Sequence, residues 1–223
     1  MNDALHQLLQ NPRIWRGTGQ AELSDWQGLA SGYPRLDRHL PGGGWPKQAL
    51  TEILLEHYGS GELKLLMPAL ARLSQVDDSS DKGVDSAAGW IAWIAPPFEP
   101  YPPALLQWGV NLSRVLIVRP KNSSESLWAA EQALASGNCA AVLLWSEKLD
   151  DSASRRLQLA AEKGQSWAIA FRSLNALSEA SAAALRIKVT AGINGTDLGI
   201  VKSRGGRPAV VHDYAAALDQ YPI

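Results

Sequence analysis

Between His57 and Lys64 the chain reads HYGSGELK, with the apolar run Leu50–Leu55 before it and a helical pattern after it. A strand, a glycine-bearing loop and a helix form the junction that holds phosphate in nucleotide-binding α/β proteins. The working motif there is G-x-x-x-x-G-K-[ST]. Its backbone N–H groups wrap the phosphates, its lysine neutralises their charge and its hydroxyl holds Mg²⁺. With Gly61 as the second glycine, the lysine position is Glu62 and the hydroxyl position is Leu63. A carboxylate in that place repels phosphate. Lys64 comes two places late and points about 200° around the helix from the required direction. Gly59 and Gly61 then read as turn residues, and no nucleotide or other cofactor is expected.

No other catalytic constellation replaces the missing one. His6, His39, His57 and His212 are separated from one another and have no ligand spacing with Cys139, so no metal site is expected. Cys139, the one cysteine, rules out an internal disulfide and sits in an apolar run as a buried, inert thiol. No serine is flanked as G-x-S-x-G with plausible partners.

Composition sets the class. The 223 residues are 46% hydrophobic and 19% charged, enough for one sizeable α/β core. A net charge of -1 gives no global attraction to nucleic acid or an anionic membrane. MNDALHQLLQNPR is too polar for a signal peptide, and no apolar window is long enough to span a bilayer. A soluble cytoplasmic protein is the expectation. The nine tryptophans scatter singly and read mostly as packing residues.

The elements that must position the loop follow in order. Residues 3–10 form a short amphipathic helix, and residues 17–31 read as a linker, so 1–28 stand apart from the core. A short helix at 34–40 and the turn PGGGWP feed the strand Leu50–Leu55. The helix after the loop runs from Gly61 to about Leu73, with Ser60 as its cap and Pro68 bending or shortening it. QVDDSSDKGVDSAA (75–88) is a flexible insertion. A central strand between Gly89 and Pro96 (GWIAWIAP) and strands over Val115–Val118, Ala140–Trp145 and Trp167–Phe171 alternate with helices at 104–108, from Asn122 to Ser136 and at 152–163. Asn122 with Glu125 starts the second of these, and Gly137 stops it. Asp150 or Asp151 caps the third, and Gly164 stops it. That alternation predicts a mostly parallel sheet flanked by helices. A small-residue helix at 178–182 precedes a β-hairpin, LRIKVTA and DLGIVKSR around Asn194-Gly195, at the sheet edge. Residues 209–223 read as a surface tail.

The order of these landmarks resembles a known superfamily. ASGYPRLDRHLPGGGWPKQALTEILLE is similar to the segment leading into the phosphate loop of bacterial RecA recombinase. GVNLSRVLIVRP, SGNCAAVLLWS and IVKSRGGRP continue the likeness over residues 29–208. Within that group, GELKLLMPALARL, WIAPPFEPYPPAL, ALASGNCAAVLLW, RRLQLAAEKG and AIAFR look like the ImuA family of translesion-synthesis proteins. WRG (Trp15–Gly17) and VKSRGGRP belong to the same pattern. A looser likeness is to the SOS cell-division inhibitor SulA.

The resemblance implies a RecA-like core with its ATPase residues lost. The metal-positioning aspartate expected after AAVLL is Trp145, and the catalytic glutamate expected after WIA falls at Pro97 and its neighbours. Lys202 and Arg204 match paired lysines that face a neighbouring subunit's nucleotide in the recombinase. With Arg207 they form either a solvated charge pair and neighbour or a basic patch for an acidic partner or DNA, with DNA contact weak or indirect. Trp15, Phe98 and Tyr101 are candidate interaction residues. The implied function is non-catalytic: an adaptor in SOS-induced translesion synthesis. Its partners would be an ImuB-like Y-family polymerase homologue, through it an error-prone DNA polymerase, and RecA as a further contact. The alternative is a SulA-like inhibitor that binds FtsZ.

Overall fold

The computed structural model describes residues 28–59, 61–75, 89–193 and 195–215. The expected N-terminal helix and linker, Trp15, the cap Ser60, the insertion beyond Gln75 and the hairpin-turn residue Asn194 lie outside them.

Eight strands form one sheet in the order β3-β2-β4-β5-β1-β6-β7-β8. They are β1 (Leu50–Leu55), β2 (Trp90–Ile94), β3 (Val115–Val118), β4 (Cys139–Trp145), β5 (Trp167–Ser173), β6 (Leu185–Ala191), β7 (Thr196–Ser203) and β8 (Ala209–Val211). The first six pair in parallel, while β6–β7 and β7–β8 are antiparallel. The helices are α1 (Pro34–Asp37), α2 (Glu62–Ser74), α3 (Pro102–Gln107), α4 (Ser123–Ala135) and α5 (Asp151–Gly164).

Crossovers cover both faces of the parallel part, so its central strands are buried and mostly apolar. On one face Ile53, Leu55, Trp93 and Phe171 pack under α2, whose Leu65, Leu66 and Leu70 point inward. On the other, Leu50, Ile94 and Val142 pack under Leu134 of α4 and Leu157 of α5. β1 lies between β5 and β6 with all six residues buried. It delivers the chain to the glycine loop from the middle of the sheet.

Helix α2 runs unshortened through Pro68. A proline has no N–H for the carbonyl four residues back, which here belongs to Lys64. The Tyr33 hydroxyl donates to that carbonyl at 2.6 Å instead. Tyr33 is fully buried, and burial, followed by the neighbouring Tyr214, raises the pKa of its phenol. A residue far away in sequence thus supplies the donor that Pro68 lacks.

Asn122 and Asp150 cap α4 and α5 as the sequence indicates, accepting from Glu125 N–H at 2.9 Å and Ala153 N–H at 2.7 Å. The stop of α5 differs. Gln165, not Gly164, takes the left-handed conformation, at φ 52°. Gly164 is small for another reason: a Cβ there would lie 1.8 Å from the Leu134 carbonyl oxygen.

Two further expectations are corrected. Residues 178–182 form no helix. A 3-10 turn covers Leu174–Ser178, and beyond it side chains bond the backbone: Ser154 Oγ accepts from Ala182 N–H and Ser181 Oγ from Ala183 N–H. The surface tail is also wrong at its start. Ala209–Val211 add β8 beyond the hairpin, Val211 and Tyr214 are buried, and Tyr214 packs edge-on to Tyr33 at 4.7 Å. Tyr214's hydroxyl pKa is pushed up to about 12 by burial. Cys139 is buried and free, and burial raises its thiol pKa. Among the described residues no helix is long and apolar enough to cross a membrane.

Candidate functional site

At the carboxyl rim of the sheet, where open α/β folds place ligands, β1 enters the loop 56–61. Gly59 and Gly61 have φ of 87° and 95°, a region that glycine enters at little cost. Gly61 stands at the N-cap of α2 and has no side chain to cap it. The first helical residue does that work. Glu62 turns back so that Gly59 N–H donates to its Oε1 at 2.8 Å.

Glu62 is 3% exposed, and its Oε2 is buried with no hydrogen-bond partner among the described residues. A helix N-terminus attracts an anion through its free N–H groups and dipole. Here the chain's own carboxylate takes that seat. The Tyr58 phenol pKa is raised by burial, then by the Glu147 and Glu62 carboxylates, with Arg172 acting the other way. Phe98 leans over the loop, 3.4 Å from where a Cβ on Gly59 would be.

The remaining predicted positions sort cleanly. Leu63 is half-buried against the core, and Lys64 points to solvent. Trp145 at the end of β4 is a packing residue, stacked on Phe171 at 4.6 Å and tilted against Trp93 at 5.5 Å. Pro97 is exposed on the loop after β2. Phe98 and Tyr101 on the same loop are 64% and 69% exposed. None of these brings a metal-binding or nucleophilic group to the loop, and no cluster able to hold a metal occurs among the described residues.

Lys202, Arg204 and Arg207 lie near the far end of the sheet and are exposed. Lys202 Nζ donates to the Ser181 carbonyl at 2.7 Å, and Arg204 meets Glu162 at 3.4 Å. The Lys202 pKa is lowered by burial, then by Arg204 and Arg186. Two of the three cations are thus engaged within the molecule.

Sequence reasoning missed a buried charge network. Glu52, on the α5 face of β1, is fully buried; it pairs with Arg172 of β5 at 3.2 Å and Arg186 of β6 at 2.8 Å. Ser181 Oγ donates to Glu52 at 2.6 Å, and Arg172 also meets Glu179 at 2.5 Å. Arg186 donates to the carbonyls of Ala176, Leu177 and Glu179. One carboxylate in the central strand therefore fastens the whole 174–184 connection. Opposite charges inside three apolar strands were the available signal, but only the strand order makes them neighbours.

A mostly parallel α/β sheet with an antiparallel C-terminal extension, and a strand–loop–helix junction closed by a carboxylate, defines the class of this protein. The profile of the family "Cell division inhibitor SulA" matches residues 51–168, and the chain belongs to that family. Protein ImuA of Caulobacter vibrioides is 30% identical over 139 residues, which is 60% of this chain and 53% of that protein. The match thus spans about half the length of this relative. Cell division inhibitor SulA of Pseudomonas aeruginosa is 31% identical over 124 residues, 56% of this chain and 71% of that one. The crystal structure of the Pseudomonas aeruginosa SulA superposes with a TM-score of 0.43 at 29% identity, over 55% of this chain and 97% of that one.

Proposed function

We propose that this chain is a non-catalytic accessory protein of the ImuA type, acting in SOS-induced translesion DNA synthesis by protein–protein contact. The observation that carries this reading is the carboxylate of Glu62, which takes Gly59 N–H where a phosphate would take it. A fold that closes its own ligand seat retains its surfaces as its means of action. On this reading the RecA-like core is a scaffold in the cytoplasm. Its partners are an ImuB-like Y-family polymerase homologue, through it an error-prone polymerase, and RecA filaments. Strands β6–β8 lie beyond the segment matched by the SulA profile, which supports a role wider than that segment alone.

A second reading has its own support, because the profile match is to a cell-division inhibitor. On it the chain binds FtsZ. Affinity capture with the tagged full chain, against purified ImuB-like protein and FtsZ in parallel, separates the two. Capture of the ImuB-like protein is the expected result, and capture of FtsZ alone overturns it. Mg·ATP turnover by the wild-type chain that is lost on changing Glu62 would overturn both.

A further inference from the structure

The amino-terminal rim of the sheet carries a cleft of about 850 Å³, within the range of ligand-binding clefts. It opens where β2 and β4 begin and where α4 and α5 end. Its chemistry comes from Trp90, Arg114, Asn138, Lys163 and Gln165. Glycines fix its walls: a Cβ on Gly89 would lie 2.5 Å from the Ala140 Cβ, and one on Gly164 would strike α4.

Among the described residues the lining holds two cations and no carboxylate. Neither Arg114 nor Lys163 forms an ion pair among the described residues. Two helix C-termini also face the cleft, each carrying roughly half a negative charge. The balance is about one positive charge, so an anion is the favoured guest. The Arg114 guanidinium sits over the Trp90 ring at 5.8 Å, and Trp90 remains 39% exposed. A cation on an aromatic face holds its position cheaply, and the rest of the indole is left for an apolar neighbour.

We propose that this cleft binds an extended acidic peptide segment of a partner protein. Its carboxylates meet Arg114 and Lys163, an apolar side chain rests on Trp90, and the amides of Asn138 and Gln165 pair with its main chain. Arginine and tryptophan are the side chains that most often anchor such contacts. Single-stranded nucleic acid also stacks on tryptophan. Two cations neutralise only two phosphates, however, and the chain as a whole has a net charge of -1. A peptide with alternating acidic and apolar residues fits better. The site is remote from the closed glycine loop and does not depend on which partner supplies the segment.

The test uses the full chain and fluorescence anisotropy with a short labelled peptide alternating aspartate with leucine. The same peptide with asparagine for aspartate and a short oligothymidylate serve as comparisons. Saturable, salt-sensitive binding of the acidic peptide is expected, weakened about tenfold or more in the double variant Arg114→Ala, Lys163→Ala. Trp90→Ala, checked for folding by circular dichroism, weakens it about fivefold or more. The charge-reversed variant Arg114→Glu, Lys163→Glu should bind a lysine–leucine peptide instead. No saturable binding by the wild-type chain, equal affinity for the asparagine peptide, indifference to the double variant or tighter binding of oligothymidylate would each overturn the proposal.

Discussion

The two rims of the sheet are built in opposite ways. At the carboxyl rim the glycine loop, Glu62 and Phe98 fold over the end of β1, and the anion seat is filled from within. Just below, Glu52 binds Arg172 and Arg186 into the core. At the amino rim Arg114 and Lys163 stand in an open cleft whose described lining residues include no carboxylate. Where open α/β folds usually place ligands, the described side chains bond to one another, and at the opposite end two cations have no ion pair among the described residues. Charge that is satisfied internally contributes to stability, whereas charge left open is available for recognition.

Substitutions at the closed rim should therefore move stability, and those at the open rim should move binding alone. The largest effect is expected from Glu52→Ala, which leaves two buried guanidinium groups without their shared carboxylate. Breaking a buried pair this way costs about 3–5 kcal/mol, read as a lowered urea midpoint or loss of soluble protein. A shift of under 1 kcal/mol would mean that water or Glu179 takes over the role of Glu52. Next is Glu62→Ala, expected to lose about 1–2 kcal/mol because Gly59 N–H loses its acceptor and the helix its N-terminal anion. No ATP turnover should appear, since neither lysine nor hydroxyl is restored. Gain of turnover would show that Glu62 blocks a working site.

Tyr33→Phe should cost about 1 kcal/mol by orphaning the Lys64 carbonyl. In a Pro68→Ala background the restored helical N–H can satisfy that carbonyl, so the same change should cost less. An additive double-mutant cycle would refute the link between Tyr33 and Pro68. The smallest stability effect belongs to the amino rim. Arg114→Ala with Lys163→Ala should stay within about 0.5 kcal/mol of the parent chain in thermal or urea unfolding. A larger loss would make the cleft a structural feature and erase the contrast between the rims.

Much of the parallel sheet was readable because its strands are short apolar runs and its helices carry their own caps, Asn122 and Asp150. The errors fell where local pattern was weak. Residues 178–182 have helix-compatible composition, but Ser154 and Ser181 capture their amides from elsewhere in the fold. Ala209–Val211 form too short a run to read as a strand, and only the free edge of β7 makes them one. At Gly164 the glycine was recognised but its reason was not, because the close approach to Leu134 joins two helices.

At the candidate site the sequence placed Glu62 and Leu63 where the phosphate-loop motif has lysine and hydroxyl. It also placed an aromatic residue, Trp145, where the likeness to RecA asks for an aspartate. These are statements about residue identity, and identity is what a sequence contains. Only the tertiary structure decided that Glu62 bends back to close the loop, that Glu52 sits between Arg172 and Arg186, and that Trp90, Arg114 and Lys163 share one cleft. Each depends on strand order and on the approach of helix ends, which join residues far apart along the chain.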